Sequence, residues 1–318
     1  MFRGELEKCS YPDLMIRFRP SSQIHPEYLE QTLKSFRVLN YLQSSAAGTS
    51  ASMVKITGKI IGNALIPLPT LPEQRKIADF LTAVDGRIGQ LIQKKALLED
   101  YKKGVMQQLF TQAIRFKDDH GNDFPDWEEK KLGEVGQFKN GLNKDKADFG
   151  FGSPFVNLMD VFGKRVLNRD NFGLVNVSKK ELLSFNLRSG DVLFIRSSVK
   201  RTGVGEAIVV AENIDEAVYS GFLIRFRCTG GNLKSDFMMY CFAAAAFRKE
   251  LLSYATTSAN TNINQESLAK VKVGIPSLPE QTKIADFLSA IDRKIESVAT
   301  QITETQTFKR GLLQQMFL

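Results

Sequence analysis

Residues 71–110 read LPEQRKIADFLTAVDGRIGQLIQKKALLEDYKKGVMQQLF, and residues 278–317 read LPEQTKIADFLSAIDRKIESVATQITETQTFKRGLLQQMF. The two stretches align at a constant offset of 207 with no gap over 40 positions, and 18 of those positions are identical. Pro72 and Pro279 stand where a first helical turn tolerates a missing N–H, and Glu73 and Glu280 follow where the helix dipole favours an acid; neither stretch holds another proline. At spacings that alternate between four and three, the first copy presents Ile77, Leu81, Val84, Ile88, Leu91, Lys95, Leu98, Lys102, Val105 and Leu109, eight of the ten apolar. The second presents Ile284, Leu288, Ile291, Ile295, Val298, Ile302, Thr305, Lys309, Leu312 and Met316, again eight of ten. The spacing predicts two helices of about 60 Å, each with a coiled-coil seam, paired with one another.

The repeat extends upstream of the helices. IleArgPheArg occurs at 16–19 and at 224–227, SerAlaAlaGlyThrSer (45–50) answers SerTyrAlaThrThrSer (253–258), and ProThrLeuProGlu (69–73) answers ProSerLeuProGlu (276–280). The repeating unit is therefore a globular domain plus a helix. The organisation expected is a partial domain at 1–70, a helix at 71–115, a complete domain at 116–277 and a second helix at 278–318. The partial domain carries the IleArgPheArg strand and an apolar helix Tyr28–Leu42, but nothing equivalent to roughly 90 residues that open the complete one. It is expected to leave apolar surface and a sheet edge uncovered, which a complementary fragment or a second copy would fill. In the complete domain, β-rich runs at Lys131–Phe138, Pro154–Val161, Asp191–Arg196, Glu206–Val210 and Gly221–Arg227 precede an apolar helical stretch, Ser235–Leu252. The fold class is α+β: mixed, β-rich domains with two long coiled-coil helices.

Composition bounds the function. With 318 residues, 43% hydrophobic and 25% charged, the chain can build about two cores. The longest apolar run, Met238–Phe247, is half a bilayer span, and the start lacks the apolar core of a signal peptide, so a cytoplasmic location is expected. Three cysteines and two histidines, His25 and His120, allow no zinc spacing. A net charge of +8 points to an acidic partner, nucleic acid first, and no segment is a basic tail, so folding must assemble the surface that binds it.

Within 116–277 one stretch stands out, ArgSerSerValLysArgThrGlyValGlyGlu at 196–206, set between two apolar strands. Arg196, Lys200 and Arg201 with Ser197, Ser198 and Thr202 can present guanidinium forks and hydroxyls to phosphates and base edges, although the same composition serves a solvated hairpin turn. A second stretch, Thr256–Ser267, is dense in Asn, Ser and Thr, which read DNA but also cap helices, as Asn264 or Ser267 could. Catalysis finds little support. ProAspTrpGluGluLys at 125–130 is superficially nuclease-like, but Asp126 and Glu128 are only two residues apart, and Trp127 reads as a core anchor. There is no phosphate-binding GxxxxGK[ST] loop, and no nucleophile, base and orienter can be assembled. The polar identities of the repeat, Glu73, Gln74, Lys76, Asp79 and Asp85 with Glu280, Gln281, Lys283, Asp286 and Asp292, lie off the seam and read as a duplicated docking surface for a partner, or as shared ancestry alone.

Taken together, the Trp127, Leu132, Gly133 start, GlyAspValLeuPheIleArgSerSer at 190–198, AsnIleAsnGlnGluSerLeu at 262–268, and the IPLPxLxEQxxIAxFL-type block present at Ile66–Asp85 and again at Ile275–Asp292 resemble the DNA-specificity subunit of type I restriction-modification systems. The resemblance covers essentially the whole chain. It implies two target-recognition domains, each reading half of a split sequence in double-stranded DNA, and two conserved helices that fix the spacing. Equivalent domains on one duplex imply a pseudo-two-fold axis, hence antiparallel helices. It further implies a non-catalytic chain without cofactor, docked to methyltransferase subunits and through them to a restriction subunit, which hold the S-adenosylmethionine and ATP sites. Carried over residue by residue, the DNA-facing set is Arg196–Thr202, then Lys139 and Asn140 before Gly141, then Thr257, Asn260 and Asn262 within Thr256–Asn262. The departure is the first domain, which lacks any counterpart of the Arg196 loop. The rival reading is a coiled-coil module that never reads DNA and sequesters methyltransferase subunits; a pure scaffold would not need the intact second domain.

Overall fold

Two buried glutamines set the start of the long helices. In the computed structural model, which describes residues 10, 12, 15–46, 55–168, 171–257 and 260–317, the elements in chain order are α1 (Pro26–Leu33), α2 (Phe36–Ser45), α3 (Gly58–Gly62) and α4 (Leu71–Phe110), then β1 (Glu128–Lys131), α5 (Leu132–Val135), β2 (Gly136–Asn140), β3 (Phe149–Val156), α6 (Leu158–Val161), β4 (Val166–Leu167), β5 (Gly173–Val175) and α7 (Lys179–Phe185). There follow β6 (Val192–Ile195), β7 (Ser197–Ser198), β8 (Ala207–Val210), β9 (Val218–Tyr219), β10 (Leu223–Cys228), α8 (Ser235–Cys241), α9 (Ala245–Ser253), β11 (Thr256–Thr257), β12 (Thr261–Asn262), α10 (Gln265–Lys270), β13 (Lys272–Ile275) and α11 (Leu278–Met316). The chain start and residues 47–50 of the aligned Ser/Thr stretch lie outside the described residues. One compact unit combines 1–99 with 293–318 and the other spans 100–292, so each long helix belongs in part to each.

In the second unit β10 lies between β2 and β6 in a five-stranded sheet of order β2-β10-β6-β8-β4. Side chains alternate across it: Leu193 and Ile195 enter a cluster with Ile208, Val210 and Leu223, whereas Phe194 and Phe226 meet Phe242, between α8 and α9, at ring distances of 5.4 and 6.0 Å. All four residues of β6 are buried because the sheet is covered on both faces. Two expected strands are shorter than the sequence suggests, because polar caps divert the chain into a helical turn. Glu134 accepts from the Lys131 N–H at 2.8 Å, which turns the middle of Lys131–Phe138 into α5. Asn157 and Asp160 box the start of α6 and end β3 at Val156. The stretches Ser235–Leu252 and Tyr28–Leu42 each break into two helices at matching points, where Ala244 and Ser35 take up extended backbone.

Gln281, fully buried, donates from Nε2 to the Pro276 and Asn232 carbonyls at 2.9 and 2.8 Å and accepts the Lys234 N–H at 2.9 Å. In the first unit Gln74, equally buried, donates to the Pro69 and Gln23 carbonyls at 2.8 and 3.1 Å and accepts the His25 N–H at 2.8 Å. Each glutamine thus joins the start of its long helix to the residue that precedes α8 or α1. The likeness continues where Thr57 caps α3 and Asn264 caps α10, both accepting from the N–H three residues on. The first unit therefore repeats the helical part of the second: α1, α2 and α3 match α8, α9 and α10.

The strands are not repeated. Ile224 and Phe226 of β10 are fully buried between β2 and β6, whereas the matching Ile16 and Phe18 are 41% and 48% exposed and form no strand. The expected IleArgPheArg strand at 16–19 is thus absent: a strand needs neighbours, and the described residues of this unit offer none.

Inside each unit the two long helices run antiparallel. In the first, Leu81 packs with Leu313 and Phe317 around Tyr28, and Lys309 bonds Asp85 at 2.6 Å. In the second, Lys102 bonds Asp292, which also accepts from the Tyr240 hydroxyl at 2.9 Å. Burial works to raise Asp85, but hydrogen bonds from Lys309 and Gln31 hold its carboxyl below the usual range. Burial lowers the Lys102 ammonium and pushes Tyr240 up to about 12. At the end of the second helix the seam departs from its expected course: Met316 is exposed and Phe317 buried, because the Tyr28 ring takes Phe317 at 5.6 Å.

Removing either glutamine side chain leaves three backbone groups without the partner that ties them to the helix start. Gln281→Ala and Gln74→Ala are each expected to lower stability by about 2–4 kcal/mol, whereas exposed Glu73→Gln stays within about 0.5 kcal/mol; denaturant midpoints at unchanged slope check this.

Candidate nucleic-acid interface

The two hydroxyl- and amide-rich stretches of the sequence meet in a single small sheet. After β6 the chain leaves the large sheet at Arg196, whose N–H donates to Phe222 O and whose carbonyl accepts from the Ile263 N–H, both at 2.9 Å. It then pairs elsewhere: Ser198 lies opposite Thr261 and Ser197 opposite Asn262. On the far side of β12, Thr257 lies opposite Thr261 and Thr256 opposite Asn262. The result is a three-stranded sheet of order β11-β12-β7. Its Thr256 and Thr257 are exposed, Ser197, Ser198 and Asn262 half-buried, and Thr261 buried. Ile263 is buried just after it and roots the sheet in the core. Asn260, exposed, gives its carbonyl to the Asn262 side-chain amide at 3.0 Å.

The loop that follows β7 is held from behind and open in front. Arg248 of α9 donates through Nη2 to the Thr202 and Val204 carbonyls at 2.8 and 2.6 Å, and Gly205 returns the chain by donating to Ile195 O at 2.7 Å. Gly205 has φ +66° and packs so closely on Leu251 that a Cβ would lie 2.3 Å from its methyl group. Val199, Lys200, Arg201 and Thr202 face solvent. The Arg201 guanidinium reaches the Leu252 carbonyl at 3.3 Å, and half-buried Arg196 the Gly221 carbonyl at 3.5 Å, so both keep donors for other acceptors. A sheet of short polar side chains, flanked by three cations and the exposed apolar tips of Val199 and Phe222, can hydrogen-bond base edges, touch methyl groups and pair with phosphates.

Other candidates lie elsewhere. Lys139 is on β2, and its ammonium is engaged by Ser184 and by the Phe185 ring at 4.6 Å. Asn140 ends β2 opposite Ile224. Of the proposed docking residues, Gln74 and Gln281 are fully buried in both copies, so their identity reflects the fold, and Asp85 and Asp292 are taken by Lys309 and Lys102; Glu280 is buried too and accepts from Arg115 and from the Trp127 indole at 2.9 and 3.1 Å, whereas its counterpart Glu73 is exposed. Lys283 holds Asp119 at 2.7 Å, and Glu73, Lys76, Asp79 and Asp286 are exposed. Asp126 is fully exposed, and among the described residues no three metal-ligating side chains gather.

One contributor is not apparent from the sequence. Phe162 lies 3.6 Å from the place of a Cβ on Gly203, which puts the segment from α6 to β4 beside the loop, with Met159 and Phe162 exposed and Lys164 and Arg165 following. The short GlyLysArg run after a capped turn is its only signal.

The architecture defines a class: a β-rich domain and a helical partial counterpart, each fastened to one of two long paired helices. The model of the type I restriction modification DNA specificity domain matches residues 6–100 and 125–306, and the chain belongs to that family. It is 27% identical to the MjaVIII type I restriction enzyme specificity subunit of Methanocaldococcus jannaschii over 94% of this chain and 71% of that one. It is 24% identical to the StySPI specificity subunit of Salmonella potsdam over 97% and 67%. The crystal structure of the HsdS subunit from Thermoanaerobacter tengcongensis superposes with a TM-score of 0.52 at 25% identity, covering 91% of this chain and 68% of that one. Specificity subunits of this family are non-catalytic, and so is this chain.

Gly205→Ala combines a left-handed backbone with a collision against a buried leucine. It is expected to cost about 2–4 kcal/mol and to loosen the loop, read as a lower melting temperature with faster amide exchange at 200–206.

Proposed function

We propose that this chain is the sequence-reading subunit of a type I restriction-modification assembly, acting in the cytoplasm, and that its second unit reads one half-site of double-stranded DNA through the β7-β12-β11 sheet and the Arg196–Thr202 loop. The carrying observation is that two stretches 60 residues apart, each rich in hydroxyls and amides, join in one sheet beside three cations. The exposed members of the duplicated set, Glu73, Lys76, Asp79 and Asp286, are the docking points for methyltransferase subunits, which in turn bring the restriction subunit. Arg196→Ala or Arg201→Ala is expected to weaken specific binding by about 1–3 kcal/mol for each bidentate base pairing removed, at unchanged fold. Gel shifts on selected duplexes, with methyltransferase subunits present, measure this; unaltered affinity and preference in both variants rejects the loop.

The first unit calls for a covering partner, either a complementary recognition-domain fragment or a second copy. Three features support this reading. Ile16 and Phe18 are exposed where their counterparts are core. Leu65 and Leu68 are exposed where the matching β13 pairs with β1. Glu73 faces solvent where Glu280 is clasped by Arg115 and Trp127. The expected outcome is fast amide exchange at 15–68 against protection in the second unit, with self-association at micromolar concentration. Equal protection in a stable monomer would show the first unit to be complete.

A further inference from the structure

Next to the reading sheet, a cavity of about 280 Å3 opens between the segment Gly163–Arg165, the back of the loop at Thr202 and α9. Its lining carries three cations, Lys164, Arg165 and Arg248, with one acid, Glu206, and the apolar Phe242. Arg248 is the least ordinary of them. Its Nη2 is committed to two carbonyls of the loop, while its Nη1 is buried without a protein acceptor. A shielded guanidinium N–H with no acceptor is costly, and the cost is relieved by an oxyanion. Arg165 is half-exposed, and its carboxylate neighbour, Asp292, stands 4.0 Å away and already accepts from Lys102 and Tyr240. A lining with two arginines, a lysine and a threonine suits a tetrahedral anion. The single carboxylate in the wall favours a singly charged diester over a small dianion.

We infer that this cleft seats a backbone phosphate of the DNA beside the bases met by the β7-β12-β11 sheet, with Lys164, Arg165 and Arg248 as positioning residues. The inference rests on the proposed reading of duplex DNA by the second unit. Thr202 ties the two places together, since it ends the solvent-facing run of the loop and also lines the cleft. A phosphate gripped here fixes the register of the duplex against the sheet without contributing to the choice of bases.

The test uses the full chain with its methyltransferase subunits, a duplex carrying the preferred sequence, a scrambled duplex, and a salt series. Lys164→Ala, Arg165→Ala and, as a conservative control, Arg165→Lys are compared with Arg196→Ala, each checked by thermal melting. Each alanine variant is expected to lose affinity by the same factor on both duplexes and to flatten the slope of log K against log salt by about 0.9 per phosphate neutralised, with partial recovery in Arg165→Lys. Arg196→Ala instead changes the ratio between the duplexes. An unchanged slope in both alanine variants, or a changed sequence preference, overturns the cleft while leaving the DNA reading intact. Failure of the unsubstituted protein to bind either duplex overturns both. Inorganic phosphate is the second probe: if it perturbs the Arg165 and Arg248 side-chain resonances at low concentration while the DNA slope is unaffected by the variants, the cleft is a free-anion site and the inference fails.

Discussion

A lysine shielded in an apolar helix seam has to find a carboxylate, and two of the three seam lysines are so placed; the third, Lys95, lies nearer solvent and pairs with Glu99 of its own helix. Lys102 stands at a seam position and meets Asp292; Lys309, 207 residues later, stands at the same seam position and meets Asp85, which is 207 residues before Asp292. Either ammonium left unpaired in the seam would be strongly unfavourable. Parallel helices would set lysine against lysine, and a slip by one heptad would separate both pairs, so the antiparallel register is the one arrangement of the repeat that satisfies the two at once. An ion pair of this kind adds little net stability over an apolar contact, and its value lies in selecting the register. Everything downstream inherits that choice, because each globular part is fastened to the start of a long helix by a buried glutamine.

Sequence identity between the copies does not entail identical structure, and the difference follows from locality. α1, α2 and α3 fold in the first unit as α8, α9 and α10 do in the second, since their caps and contacts lie within a few dozen residues and travel with the repeat. The strand at 224–227 depends on β2 and β6, which belong to the part of the domain without a counterpart at the start of the chain. The same IleArgPheArg is therefore core in one place and exposed in the other. Glu73 and Glu280 show it at a single residue: identical in sequence, one meets water and the other an arginine and an indole from the segment leading into β1.

This separates what is legible in the sequence from what is not. The long helices and most of their seams are local patterns, readable from spacing; the helical stretches Tyr28–Leu42 and Ser235–Leu252 are legible but not the break in each, and composition leaves the N-cap between Asn264 and Ser267, which the structure gives to Asn264. The loop at 196–202 is visible as a run of cations and hydroxyls without an acid. Its union with Thr256–Asn262 is not, because two-residue strands carry no periodicity and their pairing is decided by the course of the chain around Arg196. Lys139 enters the DNA-facing set by resemblance, and nothing in the sequence registers that Ser184 and Phe185 engage its ammonium. Gln74 and Gln281 read as docking residues because identity reports constraint without saying whether the constraint lies inside or outside; only burial decides.

The site's design follows from the division of labour at α9. Arg248 grips the loop through main-chain carbonyls, Gly205 returns the chain under Leu251, and both act without reference to the side chains that face solvent. A loop held by its backbone keeps its shape when Val199, Lys200, Arg201 or Thr202 changes. The small sheet is held in the same way, by the buried Thr261 and Ile263 beneath its exposed hydroxyls and amides. The atoms that hold the loop and sheet are thus not the ones that face solvent, so the exposed side chains can vary without refolding the scaffold that carries them.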